Sequence, residues 1–314
     1  MNPIPPTVGI LYPGEMGAAL GEIFSARGLR VVTTLAGRGE RTAARCHALA
    51  LETLPSLAAV KAVADVVLSV VSPAAATTVA EAYVQADAKA PENVLYVDLN
   101  SVAPETLSEI QRTLTRHKVD LVDATIHGLA SQLESRGTLY LSGPRADQVV
   151  SLFHGALRVQ HLGDSLGAAS HLKMMLGGMS KGLVALFLEL AIAARKTDAY
   201  EHFASELLHY YPGIMGAVER LVPTYPMHAT RRGVELREIG RTMRAHETNP
   251  IMIGAAEKVI VELGDMDLNA KCTPGQRWSV ADVIEQTYAS HMADEHQGTY
   301  STLPDLEAGG PLLS

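Results

Sequence analysis

Six short runs of β-branched and aliphatic residues recur through the first half of the chain, each followed by a stretch of helical character. The runs are TVGILY (7–12), RVVTTL (30–35), DVVLSVV (65–71), NVLYVDL (93–99), VDLVDAT (119–125) and GTLYLSG (137–143), with patterns such as GAALGEIFSARG and SPAAATTVAEAYVQA between them. Strand–helix alternation of this kind predicts a mostly parallel sheet covered by helices on both faces. The near-continuous Val and Leu content suits strands buried on both sides. The alternation stops near residue 162. From Leu166 to Lys196 the pattern is one long helix, and ELLHYYPGIMGAVERLV, RRGVELREIGRTMRAHE and NPIMIGAAEKVIVELG read as further amphipathic helices. The closing STLPDLEAGGPLLS, rich in Pro and Gly, reads as an irregular tail. The expected fold is α/β: a Rossmann-type, doubly wound, mostly parallel sheet over 1–162, a connecting helix over 163–196, and an all-α domain over 197–314.

Composition narrows the function classes. A formal charge of −8 argues against nucleic acid as a main partner, because phosphate backbones need a basic surface. An acidic exterior still permits a local basic pocket for a small anion. The two cysteines, Cys46 and Cys272, are far apart and lack metal-ligand spacing, so neither a disulfide scaffold nor a metal site is expected. The opening MNPIPPTVG has no basic region or long apolar stretch of a signal peptide. The most apolar segment, 172–194, contains Lys173, Lys181 and Glu189, so no membrane span is expected. The expectation is a soluble, cytoplasmic protein.

The segment LYPGEMG (11–17) ends the first run and opens a helix, where a βαβ unit holds a pyrophosphate on the helix N-terminus. Gly14 fits the position of close backbone approach to phosphate, and Gly17 the position where helix packs on strand. Tyr12, followed by Pro13, replaces the glycine usual at the first position, which is expected to reshape the turn. No carboxylate ends the second run; Leu35, Ala36, Gly37 and Arg38 stand there, with Arg41 close behind. A carboxylate there holds the ribose hydroxyl of NAD, whereas arginine accommodates the extra phosphate of NADP. The alternative is that these arginines are only solvated loop residues. NADP is expected in preference to NAD.

Taken together with the second half, the chain resembles the β-hydroxyacid dehydrogenase and 6-phosphogluconate dehydrogenase superfamily. Tyr12-Pro13-Gly14-Glu15-Met16-Gly17 is similar to that group's G-L-G-x-M-G, with Met16 a specific agreement. SVVSP (69–73) is similar to the segment passing the nicotinamide, which implies cofactor contacts at Val71 and Ser72. DLNSVAPET (98–106) resembles the D-x-S-T-x-x-P segment, which implies that Asn100 and Ser101 stand at the junction of cofactor and substrate. DATIHGLA (123–130) resembles the D-A-P-V-S-G-G substrate-binding segment, with His127 where serine is usual and Gly128 retained. GDSLGAASHLKMMLGG (163–178) is similar to the segment bearing the catalytic lysine, which implies that role for Lys173. Leu176 and Gly177 occupy its two asparagine positions, a departure from the pattern. The nearest resemblance is to a branch with a C-terminal helical domain of poorly assigned function. The resemblance also implies a homodimer formed through the helical domain.

On the long helix, Lys173, Gly177 and Ser180 share one stripe, with Lys181 to its side. The adjacent glycines 177 and 178 each cost about 1 kcal/mol of helix stability relative to alanine. Either a bulky ligand lies against the helix there or another helix packs tightly. Lys181 is read as a point charge for a substrate carboxylate or phosphate, or as an ion-paired lysine. His127 is read as a substrate-orienting group or a hydrogen-bonded loop residue. In MHATRR (227–232), Arg231 and Arg232 precede Glu235 at helical spacing, so an intrahelical ion pair competes with an anion-binding arginine. The expected function is hydride transfer between NADP and a small, carboxylate-bearing hydroxy or keto acid. Imine reduction on the same scaffold, or an NADP-binding sensor without catalysis, are the alternatives.

Overall fold

The computed structural model describes residues 5–100, 102–271 and 277–296; the Pro- and Gly-rich tail and Cys272 lie outside them. Contacts divide the chain into two compact units, Met1–Gly177 and Gly178–Ser314, so the division falls within the long helix rather than at either end of it.

The first unit runs β1 (Val8–Leu11), α1 (Glu15–Ala26), β2 (Val31–Thr34), α2 (Glu40–Ala48), β3 (Glu52–Leu54), α3 (Leu57–Val63), β4 (Val66–Ser69) and α4 (Ala76–Gln85). It continues through β5 (Leu95–Asp98), α5 (Pro104–Arg116), β6 (Asp120–His127), α6 (Leu133–Arg136), β7 (Thr138–Ser142), α7 (Ala146–Phe153) and β8 (Arg158–His161). The strands form one sheet in the order β3-β2-β1-β4-β5-β6-β7-β8, parallel throughout except where β7 meets β6. Strand residues alternate between two buried clusters. Val8, Ile10, Leu68, Val97 and Val122 enter one, and Leu11, Val67, Tyr96 and Leu121 the other. A sheet apolar on both faces is therefore sandwiched between helical layers. Local chemistry starts the helices: Ser56 Oγ accepts the Ala59 N–H at 3.2 Å to cap α3, and Pro104 opens α5, where a missing N–H leaves no bond unmade.

Two strands were not expected. β3 is a three-residue edge strand with Glu52 and Thr53 exposed, and β8 is the opposite edge with Arg158 and His161 exposed. Neither has the apolar run that marks a strand covered on both faces.

α8 (Ala168–Lys196) crosses the division. In the second unit its later turns join α9 (Tyr200–Tyr210), α10 (Pro212–Leu221), α11 (Ala229–Ala245), α12 (Ile251–Asp265) and α13 (Val280–His296). Val184, Phe187 and Leu188 of α8 pack with Leu236, Ile260 and Trp278 in a core of its own. By length and composition α8 is apolar enough to cross a bilayer, with mean hydropathy 1.6 over its best window, which its lysines and glutamate do not prevent. Val184, Phe187, Leu188 and Ile192 face this core, while Met179, Leu186 and Leu190 are exposed.

Candidate functional site

β1 lies between β2 and β4, so the winding of the sheet reverses there. In open α/β sheets, nucleotide crevices form outside the carboxyl ends of the strands at such a reversal. Tyr12, Pro13 and Gly14 leave β1 at this point, and Gly14 is the N-cap of α1. No side chain caps that helix, which leaves its first-turn N–H groups available to an anion. A Cβ on Gly14 would meet nothing within 4 Å, so packing does not demand glycine; its absence leaves open space beside the turn. Gly17 is the opposite case, because a Cβ there would sit 3.3 Å from both Ile10 Cγ2 and Pro13 Cβ. Met16 packs against the sheet cluster below, while Glu15 is exposed. An open glycine at an uncapped helix start, with a tight glycine one turn on, fits a dinucleotide pyrophosphate.

Tyr12 has φ 56°, the left-handed region glycine enters without cost. The expected reshaping of the turn is therefore not seen at this residue; the side chain differs while the backbone keeps a glycine-like conformation. The ring is half-buried against the second sheet cluster, and the Arg38 guanidinium lies over it, 4.1 Å from its centre. Arg38 and Arg41 follow β2 and are exposed. Among the described residues neither is paired with a carboxylate. Arg30 with Glu52 at 2.7 Å and Arg145 with Asp120 are the carboxylate-paired arginines among the described residues of this unit; Arg27 and Arg112 instead donate to backbone carbonyls.

Register aligns Ser69 of β4, Asp98 of β5, Asp123 of β6 and Ser142 of β7 in one row across the sheet. All four are fully buried. Asp98 accepts the Asn100 backbone N–H at 3.0 Å and its Nδ2–H at 2.7 Å. Asn100 Nδ2 also donates to Ser69 Oγ at 2.9 Å, and its Oδ1 accepts the Val71 N–H at 2.6 Å. The Asn100 amide thus braces the loop after β4, with both Nδ2 hydrogens committed to Ser69 and Asp98. Burial pushes the Asp98 carboxyl up to about 7, against the opposing effect of the Asn100 hydrogen bonds. Val71 is half-buried and Ser72 exposed on the loop so braced.

Asp123 does a different job. Its carboxylate accepts from Ser142 Oγ at 3.0 Å, from the Ser170 N–H at 3.0 Å and from Ser170 Oγ at 2.5 Å, while Ser142 Oγ accepts the Ala169 N–H at 3.1 Å. A strand carboxylate therefore caps the first turn of α8. Lys173, half-buried, follows Ser170 by three residues, about one helical turn. Ser69 and Asp98, and separately Asp123, Ser142 and Ser170, form two hydrogen-bonded clusters that the sequence reading did not single out. The available signal was a carboxylate near the end of two successive apolar runs, VLYVDL and VDLVDAT.

Other expected residues fall out differently. His127 is the last residue of β6 and is exposed, paired in register with Thr138. Gly128 has φ 146°, and a Cβ on it would lie 3.1 Å from Gly137 Cα, so the β6–β7 hairpin itself requires this glycine. Ser101 lies outside the described residues. Gly177 is half-buried at the end of the first unit. Gly178 takes the tight-packing alternative, with Ile253 and Ile239 at 3.2 and 3.4 Å from a Cβ placed there. Lys181 Nζ pairs with Glu235 at 3.0 Å, which favours its ion-pair reading over a substrate charge. Arg231 forms the expected i,i+4 pair with Glu235. Arg232 instead lies over the Tyr225 ring at 3.9 Å and donates to Thr224 Oγ1 at 2.8 Å.

Residues 7–151 match the family described as the NAD binding domain of 6-phosphogluconate dehydrogenase, and residues 194–263 match a domain of unknown function, DUF1932. An uncharacterised 28.5 kDa protein of Methanothermus fervidus is 28% identical over 249 residues, covering 78% of this chain and 94% of that protein. A conserved protein reported to be structurally similar to 3-hydroxyacid dehydrogenases superposes with a TM-score of 0.69 at 26% identity, over 85% of this chain and 100% of that one. The 3-hydroxyisobutyrate dehydrogenase of Mycobacterium tuberculosis, with L-serine, gives a TM-score of 0.69 at 15% identity, over 90% of this chain and 99% of that one. An imine reductase from Myxococcus stipitatus, in complex with NAD+, gives 0.57 at 17%, over 90% and 99%. The chain thus joins a domain of the family described as the NAD binding domain of 6-phosphogluconate dehydrogenase, over 7–151, to a DUF1932 domain over 194–263, on a fold shared with 3-hydroxyisobutyrate dehydrogenases.

Proposed function

We propose that the protein is an NADP-dependent oxidoreductase that interconverts a small hydroxy acid and its keto acid, with Lys173 as general acid/base. One observation carries this reading: an uncapped glycine turn, two arginines without carboxylate partners and the anchored start of the lysine-bearing helix all stand at the carboxyl-end side of the same sheet. Gly14 and the first turn of α1 would hold the pyrophosphate, and Arg38 with Arg41 the adenosine 2′-phosphate. Val71 and Ser72, on the loop braced by Asn100, would contact the nicotinamide end. A bound nicotinamide supplies or accepts the hydride. Lys173 gives a proton to the substrate oxygen during reduction and takes it back during oxidation. Ser101, His127, Gly128 and Gly177 are the proposed substrate contacts. Lys181, engaged by Glu235, is given no substrate role.

Imine reduction is the second reading. Leu176 and Gly177 in place of two asparagines and the likeness to an imine reductase favour it. A panel of keto acids, aldehydes and cyclic imines, each followed by loss of NADPH absorbance, separates the two. Turnover of keto acids with little of imines is expected. Turnover confined to imines would replace the first reading with the second, and NADPH binding without any turnover would leave a binding protein.

A further inference from the structure

We propose that Tyr12 is a specificity-determining residue: its ring is a platform that holds Arg38 ready for the 2′-phosphate of NADP. The inference rests on the NADP reading above and names the residue that makes the arginine selective.

Four observations converge on it. Tyr12 sits at φ 56°, a conformation that glycine adopts freely and a bulky residue enters only at a cost in strain. The ring packs on one side against the buried cluster of the sheet, which fixes its orientation. The Arg38 guanidinium lies over it at 4.1 Å from the centre, within the range of cation–π attraction. Arg38 is exposed and, among the described residues, has no carboxylate partner, so stacking is what restrains its position.

Stacking occupies the flat face of a guanidinium and leaves its N–H edge free. That edge matches phosphate geometry with paired hydrogen bonds. An arginine already held in place loses less conformational freedom on binding than one that searches solvent, and the saving appears as affinity. The saving applies only to a ligand that carries the 2′-phosphate. NADH, which lacks it, gains nothing from the platform. Tyr12 therefore acts on the ratio of the two affinities rather than on nucleotide binding in general. Arg41, in the first turn of α2, adds charge near the same place without the stacked restraint.

The test uses the full-length protein and four ligands, NADPH, NADH, 2′,5′-ADP and 5′-ADP, titrated against wild type, Arg38→Ala, Tyr12→Phe, Tyr12→Leu and Tyr12→Gly. Tyr12→Phe keeps the ring and is expected to keep the preference for the 2′-phosphorylated ligands. Tyr12→Leu retains a bulky residue at the same backbone angle and removes the ring; Tyr12→Gly also removes the ring but suits the angle, so it remains informative if Leu impairs folding. Both are expected to lower that preference by about fivefold, the size of a cation–π contact of moderate strength, with little change for NADH and 5′-ADP. Arg38→Ala is expected to lower it by at least about tenfold. A selective loss in Arg38→Ala with full preference retained in Tyr12→Leu and Tyr12→Gly would overturn the platform and leave the NADP reading standing. Equal losses for both ligand classes in Arg38→Ala, or no preference in wild type, would overturn the NADP reading and the platform with it.

Discussion

A buried carboxyl braced by one amide connects residue chemistry to the crevice. Asp98 holds Asn100, and Asn100 in turn holds the Val71 N–H, so the loop after β4 is braced through Asn100. The Asp98 carboxyl titrates near 7 in the folded protein and near 3.8 when unfolded, because burial disfavours its charge. Between those values the native state binds the extra proton. This group's contribution is therefore fully present below about pH 3.8 and is lost as pH rises through about 7. Removing the carboxyl as Asp98→Asn should flatten that part of the stability–pH curve, measured by urea unfolding from about pH 4 to 8. Identical slopes in the variant and the wild type would exclude the assignment. The turn itself was legible at this scale: Tyr12, Gly14, Met16 and Gly17 lie within one short segment, and their spacing carries the geometry. The Asn100 brace was not legible, because Ser69 and Val71 are 31 and 29 residues from it and meet it only through strand register.

Among the elements, α8 is fixed by its first turn. Asp123 reaches it from β6, 47 residues away in sequence, and accepts three hydrogen bonds there and from Ser142. Asp123→Ala would leave two hydroxyls and a backbone N–H buried without their acceptor, at about 3 kcal/mol. Asp123→Asn, which can still accept at one oxygen, should cost about half as much. Urea midpoints at constant slope measure both, and a midpoint unchanged in Asp123→Ala would refute the capping role. The six apolar runs predicted six strands because covered strands are apolar on both faces. β3 and β8 escaped because an edge strand exposes polar side chains and so carries no such run. DAT (123–125) resembled part of a substrate-binding segment, yet its carboxylate is turned into the protein, a direction that sequence spacing does not encode.

For the whole molecule, the change from strand–helix alternation to helices alone was visible near residue 162. The division of contacts at Gly177 was not, since a continuous helix spans it. The net charge of −8 coexists with two arginines after the carboxyl end of β2 that, among the described residues, lack carboxylate partners, so the acidic exterior does not oppose an anionic cofactor. Lys173 lies in the part of α8 that belongs to the sheet-bearing unit, one turn from the Asp123 cap. In the proposed mechanism this lysine moves the proton that accompanies hydride transfer. Its most direct test is the steady-state rate of keto-acid reduction by Lys173→Met beside wild type, with NADPH affinity titrated in parallel. A fall in kcat of about a hundredfold or more with NADPH binding nearly unchanged is expected. An unchanged kcat would contradict it.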